Sequence, residues 1–256
     1  QILLLGLLAW WLRRAIARDM QPLAALQQAS ATLPQLHWVV GAPTPAQGPG
    51  KKLHNSLLVL HGGAVRLQYA KQLLPTYNIF DERRHFEPGP DVARVLRVGD
   101  VQIGLMICED GWNDEGQDYA VNPFQRIADA APDLVVSINA SPSNVGKREQ
   151  RHTVFGAACG KHKLPLLYVN QIGGHDQLVY DGASFAVDAS GQVMARAPSF
   201  EAATLHLRVQ VGGHVGGAIA APLSPEAEIW QALVTGVRDY LGKNGFPGAI
   251  IGLSGG

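Results

Sequence analysis

From Leu3 to Ala31 apolar side chains recur at helical spacing, through Ile16 and Met20, until Pro34 breaks the run. A buried amphipathic helix is expected there. The opening stretch Gln1 to Leu12 is almost wholly apolar, yet too short to cross a bilayer, which needs about 20 residues. Its charges, Arg13 and Arg14, follow the apolar run, whereas a signal peptide carries them before it. Leu36 to Gly41 reads as a short strand closed by glycine, and the Pro-, Gly- and Gln-rich stretch Ala42 to Lys52 as an exposed loop. Ser56 to Leu60 and Ala64 to Tyr69 flank His61-Gly62-Gly63 in the pattern of a β-hairpin.

Val101 to Ile107, Leu134 to Ile138 and Leu166 to Asn170 are nearly continuous apolar runs, the pattern of strands covered on both faces. Helices must then pack against them. Pro123 to Ala131 and Lys147 to His162 are the candidates, the second presenting Val154, Ala157 and Ala158 on one side. Ser184 to Val187 pairs with Val193 to Ala195 across Asp188 to Gly191. Hairpins interleaved with helices predict an α/β protein of layered sheets with helices outside, not a simple doubly wound sheet.

The character changes after Val211, where Gly212 to Gly217 and Ala220-Ala221-Pro222 read as a linker spanning 211–223. Ser224, Pro225 and Glu226 then start a helix well: Ser as N-cap, Pro at the first position, an acid against the positive dipole end. Ile229, Leu233 and Val237 form its apolar stripe. Gly248 to Gly256 reads as a buried strand entering a glycine loop. With no initiating Met and this abrupt ending, the chain is expected to be a fragment: one domain over 1–210, and a second, 224–256, cut at its first strand.

Composition narrows the function. The 256 residues are 46% hydrophobic and 16% charged, which excludes disorder. Lys+Arg and Asp+Glu both number 21, so no basic excess is available to hold nucleic acid. Two cysteines in this length do not make a disulfide framework and fit a reducing, cytoplasmic setting. Neither the short apolar start nor any other run predicts a membrane partner. The nine histidines show no metal-ligand spacing, so no metal site is expected.

Cys108 stands at the end of an apolar strand, where side chains reach the rim of a sheet. Glu109 and Asp110 follow at once and would raise the thiol pKa, so a reactive Cys108 needs a cation nearby. Lys71 is the candidate. Cys159, on a helix without cationic neighbours in sequence, is expected to be a packed core residue.

The stretch Lys71-Gln72-Leu73-Leu74-Pro75-Thr76-Tyr77-Asn78-Ile79-Phe80-Asp81-Glu82-Arg83-Arg84-His85-Phe86, then Gly104 to Asp110 around Cys108, resembles the nitrilase superfamily. More narrowly it is similar to the glutaminase domain of glutamine-dependent NAD synthetases. Asn139-Ala140-Ser141-Pro142, Gly146-Lys147-Arg148 and Tyr180 to Phe185 extend the likeness over most of residues 36 to 210.

The resemblance implies a four-layer αββα sandwich with a Glu-Lys-Cys triad, in which Cys108 attacks glutamine, Lys71 steadies the oxyanion and a thioester forms and is hydrolysed. Tyr77, Glu109, Ser141 and Lys147 match glutamine-holding positions. Gly252, Ser254, Gly255 and Gly256 resemble the start of an ATP-pyrophosphatase phosphate loop. No cofactor is expected in the glutaminase part; ATP, magnesium and nicotinic acid adenine dinucleotide belong to the missing synthetase part. A homo-oligomer is expected.

The likeness departs at one point. The family's glutamate lies upstream of the lysine, and no Glu precedes Lys71; Asp19, the only acid there, reads as a surface charge. The first strand and its glutamate are therefore expected to be missing, leaving an exposed sheet edge and poor glutamine turnover. Two other functions compete: a stand-alone nitrilase-type amidase or carbamoylase, and a catalytically dead binding module.

Overall fold

The computed structural model describes residues 2–4, 21–210 and 214–252. Strands β1 (Ile2–Leu4), β2 (His37–Pro45), β3 (Leu53–His61) and β4 (Ala64–Ala70) form one sheet in that order, with β1 parallel to β2 and the others antiparallel. The β3–β4 hairpin turns at Gly62 and Gly63, both with positive φ (57° and 83°), which glycine tolerates without steric cost.

Strands β5 (Val95–Val98), β6 (Val101–Ile107), β7 (Leu134–Asn139) and β8 (Leu166–Asn170) begin a second sheet. A hairpin of β9 (Ile172–His175) and β10 (Leu178–Asp181) precedes its last members, β11 (Phe185–Val187) and β12 (Val193–Arg196). The six-stranded order is β12-β11-β8-β7-β6-β5, with β6, β7 and β8 parallel at the centre. Strands β13 (Leu207–Gln210) and β14 (His214–Gly217) form a further antiparallel pair. The helices are α1 (Gln21–Thr32), α2 (Pro123–Asp129), α3 (Lys147–His162) and α4 (Pro225–Asn244).

The period-2 alternation of strands sorts these into layers. Val39, Leu57 and Val59 of the first sheet meet Ile103, Leu105, Ile107 and Val136 of the second. The residues between them, Trp38, Val40, Leu58 and Leu60, turn the other way against Leu23 and Leu26 of α1. Met106, Val135, Leu166 and Tyr168 leave the second sheet's outer face to pack with Phe124 and Ile127 of α2 and Phe155 of α3. The order is α, β, β, α, as the resemblance implies. Gly104 is needed here, because a Cβ would come 2.5 Å from Ile127 Cγ2.

Several expectations are corrected. Ile2–Leu4 is a strand rather than the start of a helix, and it covers part of the β2 edge expected to be open; the helix begins at Gln21, and residues 5–20, with Ile16, Asp19 and Met20, lie outside the described residues. Strand β2 continues past Gly41 into the expected loop. Among the described residues its pairing with β1 runs only to Val39, and Pro43 and Pro45 have no strand on that side, so no ladder N–H is called for there. Of the three residues expected to pack, Ala158 is buried and Val154 packs against the core, but Ala157 is exposed; α3 also buries Phe155 and Cys159. The expected linker contains β14, whose Val215 is 5% exposed within the inter-sheet core.

Helix α4 has its Ser224 cap, with Oγ accepting from Ala227 N at 3.3 Å. Its apolar stripe faces outward, however: Ile229, Leu233 and Val237 are 48%, 61% and 58% exposed. The opposite side lies on the β9–β10 hairpin, where Asp239 Oδ2 accepts from Gly174 N at 2.8 Å, and Glu228 pairs with Arg148 at the start of α3. Gly248 to Gly252 forms no strand. Ile250 and Ile251 stand in the open, because no partner strand lies beside them among the described residues. Ser254, Gly255 and Gly256 lie outside the described residues. Among those residues, no helix is long and apolar enough to cross a membrane.

Candidate active site

Strand β6 ends at Ile107, and Cys108 takes a positive φ of 41°, costly for a non-glycine residue, as the chain turns into a 3-10 helix over Cys108–Gly111. The turn lifts the thiol onto the rim while burying the two acids after it.

Those acids point apart. Asp110, fully buried, accepts from Tyr69 Oη at 2.7 Å, from the backbone N–H groups of Gln72 and Leu73 at 3.1 and 2.9 Å, and from Ile107 N at 3.2 Å. Burial pushes its carboxyl up to about 6, against these donors. Asp110 thereby staples the segment after Lys71, from the first sheet, to the turn carrying Cys108, from the second. Glu109 instead accepts from Tyr77 Oη (2.9 and 3.0 Å to its two oxygens) and Tyr119 Oη (3.0 Å).

Lys71 is 2% exposed and donates to Glu82 Oε1 at 2.6 Å. Asn55 Nδ2 holds the other carboxylate oxygen at 3.2 Å. Burial opposes the lysine's charge, but Glu82 and then Cys108 outweigh it, and its pKa is raised. Cys108 is raised, and the sequence expectation is met in part: Glu109 pushes the thiol up and Lys71 opposes it, but burial is the larger cause. Burial pushes its thiol up to about 11; Lys71 and the Ala140 N–H pull it down, while Glu109 and Glu82 push it further.

The opposite wall follows β7. The Ala140 N–H reaches Cys108, and the next residue, Ser141, is buried by a network. Arg151, 1% exposed on α3, donates to Ser141 Oγ (3.1 Å), to the carbonyls of Ser141 and Pro142, and to both oxygens of Asp181 at 2.8 Å. Asn170 Oδ1 accepts from Ser141 N at 3.0 Å. Lys147, at the start of α3, lies over the Trp112 ring with Nζ 4.1 Å from its centroid. Its pKa is lowered by burial and by Arg151.

Cys108, Lys71, Tyr77, Glu109, Ser141 and Lys147 are thus drawn to one rim. Gly252 is not among them; it lies exposed beyond α4. Cys159 is buried in the helix-side core, where burial pushes its thiol up to about 12. Among the described residues no group of three His, Cys, Asp or Glu could hold a metal.

A nucleophile at a strand end, a buried ammonium beside it and a carboxylate on that ammonium form a device for amide carbonyls. Residues 8–213 match the family model described as carbon-nitrogen hydrolase. The chain belongs to the carbon-nitrogen hydrolase family. It is 42% identical over 234 residues to the glutamine-dependent NAD(+) synthetase of Synechocystis sp., covering 87% of this chain and 42% of that one. The glutamine-dependent NAD(+) synthetase of Rhodobacter capsulatus is 37% identical over 207 residues, covering 79% and 36%. The chain spans about two fifths of the length of these curated relatives. Among solved structures, the glutamine-dependent NAD+ synthetase of Acinetobacter baumannii, in complex with ADP, superposes with a TM-score of 0.78 at 33% identity, over 90% of this chain and 43% of that one. An amidase of Nesterenkonia AN1, of the nitrilase superfamily, shares the fold at TM-score 0.64 and 21% identity, over 78% and 74%.

Within this carbon-nitrogen hydrolase, sequence reasoning missed Glu82, Tyr119, Arg151 and Asp181. Glu82 stands inside the Lys71–Phe86 stretch, eleven residues after the lysine, where the resemblance attaches no role to it. Asp181 stands in the quoted Tyr180–Phe185 stretch, where its motif carried no role. Tyr119 lies in an irregular loop with no period or motif to mark it.

Proposed function

We propose that this chain is the glutaminase part of a glutamine-hydrolysing NAD(+) synthetase, releasing ammonia from glutamine through a Cys108 thioester. The observation that supports it best is the Lys71–Glu82 ion pair beside Cys108, facing a Glu109 carboxylate that has no cation on it among the described residues. In this reading Lys71 and the Ala140 N–H favour the thiolate as Cys108 gives up its proton to the Glu82 carboxylate. Sulfur bonds to the side-chain amide carbon, and the carbonyl electrons move to oxygen, opposite the Lys71 ammonium. The held proton passes to nitrogen, the C–N bond breaks and ammonia leaves. Water then adds to the thioester and returns the thiol and glutamate. Glu109 faces the substrate ammonium, and Lys147 and Ser141 its carboxylate.

The remainder of the proposal concerns the whole protein: a glutaminase domain over 1–210, a connection over 211–223, and a synthetase domain beginning at 224 that uses ATP and magnesium to amidate nicotinic acid adenine dinucleotide. In it α4 is the first helix of that domain, and Gly252, Ser254, Gly255 and Gly256 open its phosphate loop. No step of the glutamine chemistry passes through them. A cytoplasmic homo-oligomer belongs to the same proposal. Ammonia release measured across a panel of amides tests the first part, and preference for an amide other than glutamine would overturn it. NAD formation by the full-length parent, with glutamine or free ammonia, tests the second; a parent that consumes glutamine but forms no NAD from either would end it.

A further inference from the structure

We propose that Tyr119 is a specificity-determining positioning residue: its phenol shares the Glu109 carboxylate with that of Tyr77 and keeps it ready for the α-ammonium of an amino-acid amide. The inference rests on the glutaminase reading and deepens it by assigning the choice of glutamine over amides that lack an amino group.

Tyr77 Oη lies within hydrogen-bond distance of both Glu109 oxygens, 2.9 and 3.0 Å, but has one proton to give. Tyr119 Oη, 3.0 Å from Oε1, occupies that oxygen and leaves Tyr77 for Oε2. The carboxylate plane is then fixed by two donors from opposite segments. Burial and the neighbouring Glu109 charge raise both phenol pKa values, so both remain donors throughout the working pH range. Two neutral donors orient an anion without cancelling it. A carboxylate offers roughly four lone-pair positions, two are filled, and no ion pair to Glu109 occurs among the described residues. The free capacity suits a mobile ammonium.

The loop that delivers Tyr119 is held independently of its phenol. Asn113, 2% exposed, donates to the carbonyls of Tyr119 (3.1 Å) and Val121 (2.7 Å) and accepts from the N–H groups of Asp118 and Tyr119. Asn122 Nδ2 donates to the Asp114 carbonyl at 2.8 Å. The Asp114 carboxylate is anchored to the end of α3 by His162 Nε2 (2.6 Å) and Lys161 Nζ (3.0 Å). Removing one hydroxyl should therefore leave the loop in place.

The test uses two diazo ketones with the same reactive carbon, one glutamine-shaped and one lacking only the α-amino group. Each alkylates Cys108: the S–C bond replaces the C–N bond, dinitrogen leaves and the thiol proton ends on the same carbon. In wild type the amino-bearing probe should half-saturate at the lower concentration. Tyr119→Phe should raise that concentration about tenfold, the scale of a lost hydrogen bond to a charged group. Its limiting rate, and both constants for the des-amino probe, should stay unchanged. The ratio of the two probes is an internal control that decides the question even if the variant melts earlier. Equal effects on both probes, or none, would overturn the role of Tyr119. A wild type indifferent to the amino group would instead overturn the glutaminase reading.

Discussion

Lys71 Nζ sits 2.6 Å from Glu82 Oε1, with the lysine almost wholly shielded and the glutamate open on one side. In the proposed chemistry Glu82, whose charge acts on the Cys108 thiol, takes up that thiol's proton. Glu82→Gln should lower Cys108 acylation by a glutamine analogue by about 10²-fold or more, the low end of general acid–base contributions. Labelling kinetics by mass spectrometry checks this, and an unchanged rate would move the proton role elsewhere.

The Cys108 thiol, pushed up to about 11, lies above the ordinary cysteine value, so the thiolate fraction is small at pH 7 and grows with pH. Alkylation of Cys108 by iodoacetamide should rise about tenfold per pH unit and level off only near the raised value. Lys71→Ala removes the principal influence favouring the thiolate and should slow labelling at every pH below that plateau. A plateau below pH 9 in wild type would contradict the buried-thiol account.

Arg151 and Asp181 form a buried bidentate pair that also grips the Ser141 segment. Asp181→Asn leaves a buried guanidinium without its counter-charge, and should cost about 3 kcal/mol in urea unfolding. A loss under 1 kcal/mol would mean the pair is dispensable to the fold.

Helix α4 supplies an internal contrast. Leu233 is 61% exposed, so Leu233→Ser should change stability by no more than about 0.5 kcal/mol. Two residues on, Thr235 is 1% exposed and its Oγ1 has no hydrogen-bond partner among the described residues. Thr235→Val, which keeps the shape and removes that hydroxyl, should be neutral or stabilising by about 1 kcal/mol. Thermal unfolding of both variants decides the orientation of the helix.

Much of the sandwich was legible because period is a local property. The apolar run Val101 to Ile107, the Gly62-Gly63 hairpin and the cap at Ser224 each carry their signal within a few residues. What failed depended on distant neighbours. Pro43 and Pro45 read as loop until their pairing with β3 is known, and His214 to Gly217 read as linker until β13 and the inter-sheet core are beside it. Gly248 to Gly252 reads as a strand by composition, and with no partner strand among the described residues it forms none. The site behaved likewise: Cys108 and Lys71 stand in recognisable stretches, whereas Glu82 and Tyr119 gain meaning only from what the fold brings against them.

Asp110 joins the two sheets at one point, its carboxylate spanning the Lys71 segment and the turn that bears Cys108. Heating that loosens the packing between the sheets would leave this joint intact until the sandwich itself gives way. The reaction centre should then fail abruptly rather than fade, with catalytic competence and near-ultraviolet circular dichroism vanishing along a single temperature curve.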